Sequence, residues 1–181
     1  MVKQPTRRYV LLLRGINVGG RNKLPMNSLT ALLESLGCRS VKTYIQSGNV
    51  VFDGVDQEWA ELVAEAIADE FGFCPNVLCL TSEGFQDAVA ATPFASHDGK
   101  ALHLYFLESV PESPDFEKID SIRSATERSA LLDRCFYLYA PDGIGRSKLA
   151  ASVERHLGVA ATARNWNTVQ KLKQMLSDKS L

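Results

Sequence analysis

The apolar positions of this chain change rhythm from one stretch to the next, and the rhythm predicts its elements. "RRYVLLLRGI" (7–16) is continuously apolar and rich in β-branched and aromatic residues, so it reads as a strand buried on both faces. "PMNSLTALLESLG" (25–37) instead puts Met26, Leu29, Leu32, Leu33 and Leu36 at helical spacing, with Pro25 near the start and Gly37 where a helix end favours positive φ. "VKTYIQSGNVVFDG" (41–54) reads as a hairpin with Gly48-Asn49 as a two-residue type II′ turn. "DQEWAELVAEAIADEFGF" (56–73) is a helix that Asp56 can cap, with Trp59, Leu62, Val63, Ala66, Ile67 and Phe71 on one stripe and acids opposite. "NVLCL" (76–80) returns as a strand. The order β-α-β-β-α-β over residues 8–81 is that of a ferredoxin-like unit.

The second half reads as a looser, related α/β arrangement. "SEGFQDAVAATPF" (82–94) is a short helix ended by Pro93, and "ALHLYFLES" (101–109) is a strand. "SPDFEKIDSIRS" (113–124) starts a helix at Ser113-Pro114, with Phe116, Ile119 and Ile122 on one side. "RCFYLYAP" (134–141) is a further strand running into "DGIGRSKLAASVERHLG" (142–158), read as a glycine turn that opens a helix closing at Gly158. "RNWNTVQKLKQMLSDK" (164–179) is a final helix capped by Asn165 or Asn167. The fold class expected is α+β. A boundary near residues 92–100, where Pro93, Ser96 and Gly99 cluster, divides residues 1–92 from 93–181, as two units or as one compact domain.

Composition adds only bounds. At 181 residues, 45% hydrophobic and 23% charged, the chain sits near the globular average. No apolar run approaches the roughly 20 residues of a membrane span, and the start lacks the pattern of a signal peptide, so a cytoplasmic protein is expected. Cys38, Cys74, Cys79 and Cys135 are scattered in apolar contexts and read as free thiols. Cys74 and Cys79 have no second Cys or His pair nearby, and His97, His103 and His156 stand apart, so no metal or other cofactor is expected.

Charge changes the picture more. The formal net charge is −1, yet residues 1–48 carry +7, residues 49–120 carry −13 and residues 121–181 carry +5. Two glycine-rich loops lie in the basic segments, which points to an anionic ligand or to pairing within the molecule; acidic helices facing water beside basic strands explain it equally well.

Three stretches could carry chemistry. In "DGIGRSKL" the glycines Gly143 and Gly145 allow close backbone approach, Ser147 offers a hydroxyl, and Arg146 and Lys148 supply charge, at what reads as a strand-to-helix turn suited to phosphate. It is not a Walker A loop, and a turn whose cations merely face water is an equal reading. "RGINVGGRNK" shares the logic: Arg14 can fork onto a phosphate or pair with an acid inside the fold, Asn17 suits turn bonding, and Gly15, Gly19 and Gly20 free the backbone. In "ARNWNT", Arg164, Asn165, Trp166 and Asn167 offer a stacking ring with amide donors, or a core anchor with helix caps, the commoner role. Ser47 and Asn49 sit at the hairpin tip, where turn chemistry accounts for Asn49. No nucleophile elbow, Cys–His pair or carboxylate pair stands out.

"LLRGINVGG", "TYIQSGNVVF", "GIGRSKL" and "TARNWNTVQKL" together resemble the signatures of a bacterial domain-of-unknown-function family, the one numbered 1697, in the expected order across nearly the whole chain. The resemblance implies an α+β fold of ferredoxin-like elements and carries no established activity or catalytic residue. Ala161 stands where a second threonine is common, so no role resting on that hydroxyl carries over.

The leading expectation is that the loops 14–23 and 142–148 meet, with or without Arg164 to Thr168, at a basic pocket for a phosphorylated or other anionic ligand, for which a nucleotide or nucleic-acid phosphate would serve equally. The alternatives are a small enzyme acting on a phosphorylated metabolite and a structural or assembly role in which the motifs serve the fold. Nucleic-acid binding is the weakest partner assignment, since the net charge is slightly negative.

Overall fold

The computed structural model describes residues 5–94 and 99–178. Ser96 and His97 lie outside them. The chain divides into two compact units, one formed by residues 1–86 with 172–181 and the other by residues 87–171.

In the first unit the strands β1 (Thr6–Arg14), β2 (Arg39–Tyr44), β3 (Asn49–Val55) and β4 (Asn76–Thr81) form an antiparallel sheet of order β2-β3-β1-β4. Helices α1 (Met26–Ser35) and α2 (Trp59–Phe71) are the crossovers, giving the βαββαβ path of a ferredoxin-like unit. Alternate β1 residues Tyr9, Leu11 and Leu13 pack with Leu29, Leu33, Trp59, Val63 and Ile67 of the helices. Phe52 stacks on Tyr9 at 5.4 Å between ring centroids and meets the edge of Trp59 at 5.1 Å. Gly54 is needed there, because a Cβ on it would lie 2.5 Å from Trp59 Cζ2. Helix α3 (Ser82–Ala90) follows β4.

The second unit repeats the path. Strands β5 (Leu102–Leu107), β6 (Arg128–Leu132), β7 (Cys135–Tyr139) and β8 (Ala161–Asn165) pair antiparallel in the order β6-β7-β5-β8, position for position the order of the first sheet. The first crossover is α4 (Phe116–Ile122); the second is two one-turn 3-10 helices (Ile144–Arg146 and Ala150–Ser152) and the short α5 (Val153–Leu157). Tyr105, Leu107, Phe136 and Leu138 of the sheet pack with Ile119, Leu149, Val153 and Leu157. Helix α6 (Trp166–Ser177) follows β8 as α3 follows β4, and the division between units falls inside both helices.

Several elements differ from the sequence reading. The hairpin turn is the four residues Ile45 to Gly48, not Gly48-Asn49; Asn49 is instead the buried first residue of β3, donating to Tyr44 O at 3.1 Å and Ser47 Oγ at 2.9 Å. Asp56 does not cap α2, whose N-cap is Glu58; its carboxylate faces Arg7 at 3.6 Å and Tyr9. Asp115, not Ser113 or Pro114, caps α4 by accepting from Lys118 N–H, and Phe116 points to solvent. The long helix expected from Gly143 to Gly158 is broken into single turns, since Ser147 leaves helical geometry and its hydroxyl takes the Ala150 N–H. Strands β6 and β8 were absent from the sequence reading because both are five residues long and only partly apolar.

Candidate functional site

The opening glycine loop is organised by two asparagines. Asn17 adopts φ 54, a left-handed conformation asparagine tolerates, and its side chain reaches three backbone groups. Oδ1 accepts from Leu24 N–H at 2.8 Å, while Nδ2 donates to Leu24 O and Gln46 O, each at 2.9 Å. Asn22, at φ 49, donates to Gly15 O at 2.8 Å. Leu13 N–H donates to Gly48 O, and a Cβ on Gly48 would lie 2.6 Å from Leu13 Cβ. The structure therefore brings Asn17 and its loop to the Ser47–Asn49 turn through bonds that serve the backbone path. Gly15, Gly19 and Gly20 take positive φ in an exposed turn closed by a Val18–Arg21 bridge, and Arg14 is half-buried at the end of β1.

The 142–148 loop lies in the second unit, at a cavity of about 330 Å³. Its inner wall is Glu127, Ala140 and Ser147, which are buried; its rim is Ser124, Asp142, Gly143, Arg146 and Lys148, which are exposed. Gly143 turns the chain at φ 99, a conformation L side chains rarely adopt, whereas Gly145 does not line the cavity, has no positive φ and leaves open space around its Cα. Neither Arg146 nor Lys148 makes a side-chain hydrogen bond or ion pair among the described residues.

Sequence reasoning missed the acids of this wall. Glu127 is 6% exposed, and Ser124 N–H donates to its Oε2 at 2.9 Å while Glu127 N–H donates to Ser124 O. The carboxylate-to-N–H bond is the half of a Ser-x-x-Glu capping box that "SATE" makes here; the Ser124 hydroxyl lies against Thr126 instead, and no helix follows. Asp142 Oδ2 accepts from the Thr126 hydroxyl, which itself lies 3.1 Å from Ser124 Oγ. Burial first, then the nearby charges of Glu127 and Glu154, pushes the Tyr105 hydroxyl up to about 12, so it stays protonated beside this wall.

Two expectations are corrected. The lining is not basic but balanced, two cations against two carboxylates. The backbone part of the expected anion cradle is reduced: the Gly143, Arg146 and Ser147 N–H groups donate to the Ala140, Gly143 and Ile144 carbonyls, and the helices that follow are too short for a substantial dipole.

Arg164, Asn165, Trp166 and Asn167 stand elsewhere, none of them lining the cavity. Asn165 caps α6 by accepting from Thr168 N–H at 2.9 Å, and Asn167 N–H donates to Gly99 O at 3.3 Å. Trp166 is half-buried rather than a core anchor; Trp59 fills that role. Burial lowers the Arg164 guanidinium to about 10, and its Nη1 donates to Ala163 O.

The family described as "Protein of unknown function (DUF1697)" matches residues 6–137. The chain belongs to the DUF1697 family. The conserved bacterial protein SP0830 from Streptococcus pneumoniae is similar in structure, with a TM-score of 0.71 and 27% sequence identity over 96% of this chain and 100% of that one. No curated protein matches. The DUF1697 match thus covers the whole sheet of the first unit and reaches β7, stopping short of the 142–148 loop and of the 172–181 segment. Among the described residues, no helix is long and apolar enough to cross a membrane, and no group of three or more His, Cys, Asp or Glu could hold a metal ion.

Proposed function

We propose that this protein binds a small phosphorylated or similarly anionic ligand in the cavity walled by the 142–148 loop. The supporting observation is the pair Arg146 and Lys148, two cations at the rim of one cavity without partners among the described residues. A guanidinium and an ammonium held beside a turn fixed by Gly143 offer the fork and the point charge by which proteins meet phosphate. The reading no longer needs the 14–23 loop, whose asparagines are engaged in shaping the backbone.

Titration calorimetry and thermal shift against inorganic phosphate, sulfate and phosphorylated small molecules test it. A ligand at one hundred times its Kd should add about 2.7 kcal/mol to the stability of the folded state. Arg146→Ala with Lys148→Ala should abolish the shift while leaving the unliganded melting temperature within a few degrees, both side chains being exposed. Absence of binding by every phosphorylated compound would sink the reading.

A further inference from the structure

We infer that the ligand of this cavity is a sugar phosphate, its hydroxyls read by the buried carboxylate of Glu127 while its phosphate meets Arg146 and Lys148. The inference rests on the phosphate reading above and adds the body of the ligand to it.

The argument starts from a carboxylate in the wrong place for a bare anion. Glu127 is buried in the inner wall, and among the described residues Ser124 N–H is the one donor to its carboxylate, at Oε2. Its Oε1 takes no donor among the described residues and is not sealed from solvent, so it stands available to a ligand hydroxyl. A phosphate pressed into that wall would meet repulsion from Glu127 and from Asp142. A phosphate left at the rim, with a donor-bearing body turned inward, satisfies both ends.

The remaining wall narrows the body. The hydroxyls of Ser124 and Ser147 add small polar groups; Ser147 Oγ accepts from Ala150 N–H and keeps its own proton to donate. Ile122 and Ala140 supply apolar surface for the carbon skeleton of a small body, and no aromatic residue lines the cavity among the described residues, so none of them offers a platform on which a nucleobase could stack. A volume of about 330 Å³ is at the lower end of the range for small-molecule sites, roughly 300–1,000 Å³. A compact polyhydroxylated phosphate meets these conditions.

The test compares four probes on the full chain by calorimetry: inorganic phosphate, ribose, ribose 5-phosphate and AMP. Ribose 5-phosphate should bind at least tenfold more tightly than inorganic phosphate or ribose. Glu127→Gln keeps an acceptor for Ser124 N–H but removes the charge; it should erase that preference and leave the affinity for inorganic phosphate equal or higher. Equal binding of inorganic phosphate and ribose 5-phosphate to the unaltered protein would overturn the sugar assignment and leave the phosphate reading standing. AMP binding tenfold more tightly than ribose 5-phosphate would overturn it in favour of a nucleotide. Failure of all three phosphorylated probes overturns both readings. The probe comparison needs no variant, so it decides even if Glu127→Gln does not fold.

Discussion

Asn17 and Leu24 face each other like paired strand residues, the asparagine amide accepting from the Leu24 N–H at 2.8 Å and donating to the Leu24 carbonyl at 2.9 Å. One side chain thereby closes the 17–24 loop and, through Gln46 O, fastens it to the β2–β3 turn. Asn17→Ala removes three hydrogen bonds and puts an alanine at φ 54, so stability should fall by about 2–4 kcal/mol. Asn17→Asp keeps the acceptor but turns a carboxylate oxygen toward two carbonyls, and should cost at least as much. Urea denaturation of both variants checks this, and phosphate binding by the folded fraction should be unchanged.

Gly48 and Gly145 sit in two similar-looking motifs and should answer alanine oppositely. At Gly48 a methyl would meet Leu13 Cβ at 2.6 Å and Ile16 Cδ1 at 2.9 Å, with φ at 78. Gly48→Ala should cost about 2 kcal/mol or more. Gly145 has neither crowding nor positive φ, so Gly145→Ala should change stability by less than about 1 kcal/mol. A calorimetric melt of the two single variants separates them; equal losses would refute the contrast.

Asp53 links the fold to pH. Arg8 Nε donates to Asp53 Oδ1 at 2.7 Å and Nη2 to Oδ2 at 3.1 Å, and this hydrogen-bonded guanidinium holds the carboxyl below its usual range. With the folded value below the unfolded one of about 3.9, ionised Asp53 stabilises the fold above that value, and the contribution fades as pH falls through the folded value. Asp53→Asn should lower stability at pH 7 by about 1–2 kcal/mol and flatten the loss of stability on acidification below about pH 4. Denaturation curves from pH 7 to pH 2.5 give the comparison, and an unaltered acid limb would contradict it.

Thiol chemistry should single out Cys74. It is exposed, whereas burial pushes the Cys38, Cys79 and Cys135 thiols up to about 12. A disulfide reagent should titrate one thiol rapidly in the native protein and four after denaturation; rapid modification of two or more would contradict the burial of the others.

The first unit was legible because its signals are local and strong: five consecutive apolar residues in β1, a full apolar stripe on α2, Gly37 at a helix end. The second unit hid its equal topology. Strand β6 carries Arg128, Ser129 and Ala130, which show no clean alternation, and β8 enters through small residues. Glycines marked the 142–148 loop correctly as a place of unusual backbone, but the Gly-to-helix reading failed because a single hydroxyl, Ser147, diverts the chain before a helix can propagate. Glu127 was beyond local pattern. Its burial depends on the β6–β7 pairing and on the 140–148 segment, which meets it only in three dimensions.

The Arg8 guanidinium also donates to the carbonyls of Leu176 and Asp178, 168 and 170 residues away, at the end of α6. During synthesis β1 therefore waits for a segment about 170 residues further along the chain before its own hydrogen bonds are complete. At about 5–20 residues per second that wait is on the order of ten to thirty seconds. Folding of the first unit is bound to the arrival of α6, and a chain cut before Leu172 would leave that unit without the segment that returns to it.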